Sequence, residues 1–67
     1  YKGAQLHFQK TIDISPDFDK AHYNLALVLN AQDDSGNAKT HFEKAIKINS
    51  EYAKAHFHLA LLLKAEK

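Results

Sequence analysis

The five histidines are the side chains of this 67-residue chain best suited to chemistry, because imidazole binds transition metals and exchanges protons near neutral pH. A zinc site on a helix needs its ligands on one face, commonly at i and i+4, with a third donor nearby. His56 and His58 are two residues apart and lie on different helix faces, and no two histidines are three or four residues apart. We predict structural histidines and no metal site. Binding of a metal ion between molecules at high protein concentration is a separate possibility that the spacing does not exclude.

The other polar residues form no recognisable catalytic arrangement. The chain has no cysteine, no glycine-rich loop for phosphate and no nucleophile beside a base. Asp33 and Asp34 are adjacent, but aspartates in such positions typically cap helices and shape turns. We therefore predict that the protein is not an enzyme and requires no cofactor.

Charge and composition argue against nucleic-acid and membrane partners. Nine lysines stand against eight acidic residues, for a net charge of +1, and arginine is absent. Nucleic-acid sites usually combine a basic patch with arginine, whose planar group binds phosphate. No apolar run approaches the roughly 18–20 residues that cross a bilayer. The absence of cysteine is compatible with a reducing compartment, so a cytoplasmic location is favoured while the compartment stays open.

Four amphipathic helices are predicted to position these side chains. In the first, Phe8 and Ile12 lie four residues apart, which is the spacing of one helical face. Ser15 and Pro16 end that segment, because proline disfavours helical geometry in the residue before it. The stretch 33–37 is rich in turn-forming residues and is the clearest later break. Within a single domain at 1–67, the predicted helices are roughly 2–14, 18–32, 37–48 and 51–66.

The chain repeats itself with a period of 34 residues. The stretch 22–29 returns as 56–63, and fourteen of the 33 residue pairs at this offset are identical. A fixed period of this size is typical of stacked helical arrays, in which each unit buries its apolar face against its neighbours. We predict an all-α fold, an α-solenoid of antiparallel helix–turn–helix repeats with four helices.

The residues at the repeated positions resemble the tetratricopeptide repeat. The resemblance rests on the period, the Tyr-Asn-Leu-Ala stretch at 23–26, the small Ala38 and Ala45, the aromatic Phe42 and the break before Pro16. Each repeat of that family is a pair of helices, called A and B. The register implies about two repeats in the order B–A–B–A, and we expect them to be a piece of a longer array.

Departures from the family pattern bear on how the helices pack. Histidine replaces the bulky aromatic residue near the start of each A helix, at His22 and His56. Alanine replaces the glycine that lets the A and B helices approach, and alanine is still small enough for that approach. Asp33 and Asp34 replace the usual Gly-Asp turn. These changes leave the fold intact and leave the packing of the two histidines open.

The resemblance implies that the A helices line a concave face on which extended peptides or partner helices lie. An amphipathic helix needs only one apolar stripe to hold itself to a core, and both A helices carry apolar side chains beyond that stripe. Asparagine suits a peptide backbone, and lysine suits an acidic end. We predict a protein–protein interaction scaffold that binds a peptide or helix. Packing against the next repeat is the alternative role of these side chains. The candidate groove residues are Lys20, Tyr23, Asn24, Leu27, Lys54, Phe57, His58 and Leu61.

A second hypothesis is that the chain associates with copies of itself. Helical arrays generally need about three or more repeats and polar capping units. The last A helix lacks the B helix that would cover it, so the first B helix of another molecule could dock there. Such docking gives a swapped dimer or a head-to-tail oligomer. The candidate residues for self-association are Leu6, Phe8, Ile12, Leu59, Leu62 and Leu63.

Overall fold

Helices form where the apolar spacing predicts them. The computed structural model describes residues 2–66, and the side chains of residues 3–65, and this part of the chain contains no strand. The all-α prediction is therefore confirmed. The helices of this part are too short or too polar to be bilayer-crossing segments. They are α1 (Lys2–Ile14), α2 (Asp19–Ala31), α3 (Ser35–Ile48) and α4 (Ala53–Glu66).

The turn between α2 and α3 is narrower than the sequence predicts. Residues 35–37 form the first turn of α3 and do not belong to the break. The carboxylate of Asp34 accepts hydrogen bonds from the backbone N–H of Asn37 at 3.4 Å and from its side-chain amide at 2.9 Å. This cap lets the helix begin directly after Asp34. Asp33 has a φ of 64°, the left-handed conformation that ends many helices.

The turn before α4 is wider than predicted, so α4 begins two residues late, at Ala53. The side-chain oxygen of Asn49 accepts a hydrogen bond from the N–H of Glu51 at 3.2 Å. The backbone oxygen of Asn49 accepts another from the N–H of Tyr52 at 3.1 Å. Asparagine thus holds the chain in a local turn that competes with helix.

The core lies along α2, which packs against both α1 and α3. Ala26 of α2 and Ala38 and Ala45 of α3 are completely buried. Because alanine adds only one methyl group, the two helices approach closely there, and Phe42 and Leu25 fill the remaining space. Burying a side chain of that size contributes about 1.5–3 kcal/mol relative to leaving it exposed.

The outer helices each add one apolar stripe to this core. Ile12 is the buried contribution of α1, and Ala55 and Leu62 are those of α4. Helix α4 packs against α3, so each helix contacts the next along the chain. This order is that of a helical repeat array, as the 34-residue period predicts.

Candidate partner-binding site

The candidate groove is a face formed by α2 and α4. Residues at i, i+4 and i+7 share one face of a helix, and the candidates follow this spacing on both helices. The structure joins the two faces through Tyr23 of α2 and His58 of α4, whose ring centroids are 5.7 Å apart. Of the eight candidates, Lys20, Lys54, Phe57 and Leu61 are exposed, Asn24, Leu27 and His58 are half-buried, and Tyr23 is buried.

Tyr23 packs between the helices and is the buried member of the candidate set. Its ring centroid lies 5.0 Å from that of Tyr52 and 5.8 Å from that of Phe42. These contacts place it among α2, α3 and the turn before α4. Tyr23 therefore takes the alternative role that the sequence left open, which is packing between repeats.

His58 continues this aromatic layer on α4. Its ring stacks on Phe42 at 5.6 Å with an interplanar angle of 6°, and the ring of Phe57 meets it edge-on at 5.6 Å. Aromatic pairs of this kind contribute about 0.5–1.5 kcal/mol each beyond their buried area. The layer fixes α4 against α3.

A polar contact fixes the same corner of the molecule. Asn49, which follows α3, donates a hydrogen bond from its side-chain amide to the carboxylate of Asp19 at 3.0 Å. The pKa of Tyr52 is raised above its ordinary value, mainly by burial and to a smaller extent by Asp19 and then Tyr23. The phenol therefore stays neutral at physiological pH and serves packing.

A partly buried pair of histidines links α2 to α3, and the spacing of the histidines in the sequence does not indicate it. The Nδ1 atoms of His22 and His41 are 3.1 Å apart, and the rings stack at 5.4 Å. The backbone oxygen of Pro16 lies 2.9 Å from Nε2 of His22. Since a carbonyl oxygen only accepts, Nε2 of His22 carries the hydrogen of that bond, and one of the two Nδ1 atoms donates a hydrogen bond to the other.

The surroundings of His41 favour its neutral form. The pKa of His41 is lowered below its ordinary value of 6.5, mainly by burial and to a smaller extent by His22 and Lys44. Lys47 lines the cleft beside His22, and Asp34 lines the cleft beside His41. Within residues 2–66, no three histidine or carboxylate side chains gather into a metal-binding group. The pair acts as a hydrogen-bonded contact between helices.

The residues predicted for self-association divide by burial. Two of them, Ile12 and Leu62, lie in the protein's own core. Only the other four are therefore accessible to a second copy. Leu6 and Leu63 are exposed, and Phe8 and Leu59 are half-buried.

Comparison with known proteins adds one match. The family model of the tetratricopeptide repeat matches residues 19–52, which include α2, the intervening turn and α3. No curated protein matches the chain. No solved structure matches it.

Proposed function

Since this chain belongs to the tetratricopeptide repeat family, whose repeats generally mediate protein interactions, we propose that it holds a peptide or partner helix against α2 and α4. The single observation that carries this proposal is the exposure of two large apolar side chains on α4. Phe57 is 62% exposed and Leu61 is 48% exposed, and the ring of Phe57 meets that of His58 in the aromatic layer. Exposed apolar side chains beside a preformed floor are typical anchors for a partner.

The polar residues of this face suit an extended peptide. Asn24 is half-buried on α2 and offers both a donor and an acceptor to a peptide backbone. Lys20 and Lys54 are exposed on the same face and would favour an acidic residue or a carboxylate end. The ligand class that fits best is an extended, partly acidic peptide with one or two large apolar side chains.

The mechanism is preorganisation. Tyr23, Phe42 and His58 hold the floor of the groove in place without a ligand. Binding then orders only the peptide and the exposed side chains Phe57 and Leu61, which reduces the entropy lost on association.

The test is a selection from a random peptide library displayed on phage, followed by calorimetry on the selected peptides. Leu61→Ser and Asn24→Ala should each raise the dissociation constant about tenfold, as expected for contact residues in a groove. Leu6→Ser is the matched control, because Leu6 is an exposed leucine on α1, outside this face. It should leave the dissociation constant unchanged.

Two results would contradict the proposal. The first is peptide binding that Leu61→Ser and Asn24→Ala leave untouched. The second is equal loss of binding in Leu6→Ser, since this would indicate nonspecific hydrophobic capture and no groove. Circular dichroism of each variant separates loss of binding from loss of fold.

Self-association is a second candidate function, and it is favoured by a specific observation. The outer helices α1 and α4 expose residues whose counterparts one repeat away are buried. The kind of contact that these residues support is derived next.

A further inference from the structure

Equivalent residues of α2 and α4 differ in burial on one side of the helix only. Leu29 is 6% exposed, whereas Leu63, its counterpart 34 residues on, is 48% exposed. Ala26 is completely buried, whereas Ala60 is exposed. By contrast, Ala21 and Ala55 are both buried. On α2, His22 stacks on His41 of α3 and Tyr23 packs against Phe42 of α3, whereas their counterparts His56 and Phe57 are exposed. The side of α2 that α3 covers is therefore the side that α4 leaves open.

The complementary difference occurs between α1 and α3. Ala38 is completely buried against α2, whereas its counterpart Ala4 is exposed. Phe42 is completely buried, whereas Phe8 is half-buried. The outer face of α1 thus repeats, with identical residues at these positions, the face of α3 that packs on α2.

The histidine pair provides a second and independent indication. His56 repeats the position of His22, and its Nε2 lies 3.0 Å from the backbone oxygen of Ser50, just as His22 bonds Pro16. Nδ1 of His56 has no hydrogen-bond partner among residues 2–66. His7, the counterpart of His41, is exposed, and its ring makes no hydrogen bond or ring contact within the same residues.

We propose that a second copy of this chain docks its α1 against α4 of the first, in the register that brings His7 of one copy to His56 of the other. The contact repeats the internal interface between α2 and α3, with His7, Phe8 and Ala4 in the roles of His41, Phe42 and Ala38. This proposal goes beyond groove binding, because the docking face holds whether or not a peptide ligand exists.

The contact is heterologous, since the two copies use different surfaces. Each added copy leaves one α1 face and one α4 face open, so association continues with concentration unless a ring closes. A symmetric contact between two α4 faces would instead stop at a dimer. This difference makes the polarity of the contact measurable.

The experiment uses two variants that each block one face at exposed positions. Ala60→Glu with Leu63→Glu blocks the α4 face, and Ala4→Glu with His7→Glu blocks the α1 face. Sedimentation equilibrium should show the mass of the unmodified chain rising above 7.6 kDa with concentration, while each blocked variant stays at 7.6 kDa. An equimolar mixture of the two variants should reach twice 7.6 kDa and no more.

The matched control is Ile14→Glu, which replaces an exposed isoleucine of α1 whose counterpart Ile48 is also exposed on α3. It should associate like the unmodified chain. The histidine register has its own test: His7→Ala and His56→Ala should each weaken association about fivefold, as expected for one lost hydrogen bond. Combining the two should weaken it no further, because both remove the same contact.

Three outcomes would overturn the proposal. These are a monomer at every concentration, association of either blocked variant as strong as that of the unmodified chain, and a variant mixture that stays at 7.6 kDa. If the losses of affinity caused by His7→Ala and His56→Ala add in the double variant, the proposed contact between His7 and His56 is wrong. Failure here is distinguishable from failure of groove binding, because Leu61→Ser and Asn24→Ala are expected to leave association unchanged.

Discussion

Phe42→Leu should lower the free energy of unfolding by about 1.5–4.5 kcal/mol, and the structure supplies the reason. The ring is completely buried, so a smaller side chain loses apolar contacts and leaves a small cavity, for about 0.5–1.5 kcal/mol. Its aromatic contacts with Tyr23 at 5.8 Å and His58 at 5.6 Å disappear as well, at about 0.5–1.5 kcal/mol each. A chain of 67 residues has a total stability of about 3–10 kcal/mol, so this loss is a large fraction of the total.

The chain contains its own matched control for this change. Phe8 occupies the same repeat position 34 residues earlier, but it is half-buried and makes no ring contact within residues 2–66. Phe8→Leu should therefore cost about 0.5–1 kcal/mol. Both variants are compared in the Ala60→Glu, Leu63→Glu background, so that docking of a second copy does not bury Phe8.

Urea unfolding followed by far-ultraviolet circular dichroism measures both costs by linear extrapolation. The ratio of the two costs matters more than either value. Equal costs for Phe42→Leu and Phe8→Leu would refute the difference in burial between α3 and α1, and with it the open face of α1. A loss at Phe42 below about 1 kcal/mol would refute the aromatic layer as a stabilising contact.

The remaining predictions concern pH, turn geometry and local opening. The free energy of unfolding should be highest above pH 6.5 and should fall as the pH drops from 6.5 to the lowered folded-state pKa of His41, because the unfolded chain takes up the proton first. Urea midpoints measured from about pH 8 to 5 check this, and His41→Gln should flatten the dependence. Asp33→Gly should stabilise the protein by about 0.5–1 kcal/mol, because glycine adopts the left-handed conformation without strain, and an unchanged urea midpoint would contradict it. Hydrogen exchange should be slowest in α2 and α3, which have neighbours on both sides, and faster in α1 and α4.

Most of the fold was predictable from the sequence, because an array is determined by local periodicity. The spacing of Phe8 and Ile12, the stop before Pro16 and the 34-residue period fix the number, order and approximate bounds of the helices. The break predicted at 33–37 is longer than the observed turn, and the cause is local. Asp33 adopts a conformation that favours glycine, so one residue reverses the chain, and Asp34 caps the next helix immediately.

The candidate site was less predictable, because burial depends on which neighbour covers a residue. Tyr23 and Phe57 occupy equivalent positions, yet one is buried and the other exposed. The contact between His22 and His41 also depends on the packing angle of α2 and α3, and no spacing within one helix indicates it. The period does contain a signal: His7 and His56 repeat the two partners on the outer helices, one repeat away from each.

Phe57 shows how the two proposed activities fit together. Its counterpart Tyr23 is part of the groove floor because Phe42 of α3 packs against it. A docked copy places Phe8 at the equivalent position, so Phe57 would pass from the wall of the groove to its floor. Leu61 would stay on the wall, as its counterpart Leu27 does on α2. On this proposal, docking of a second copy would add its two A helices, α2 and α4, to the groove without closing it, and the assembly would hold a longer peptide.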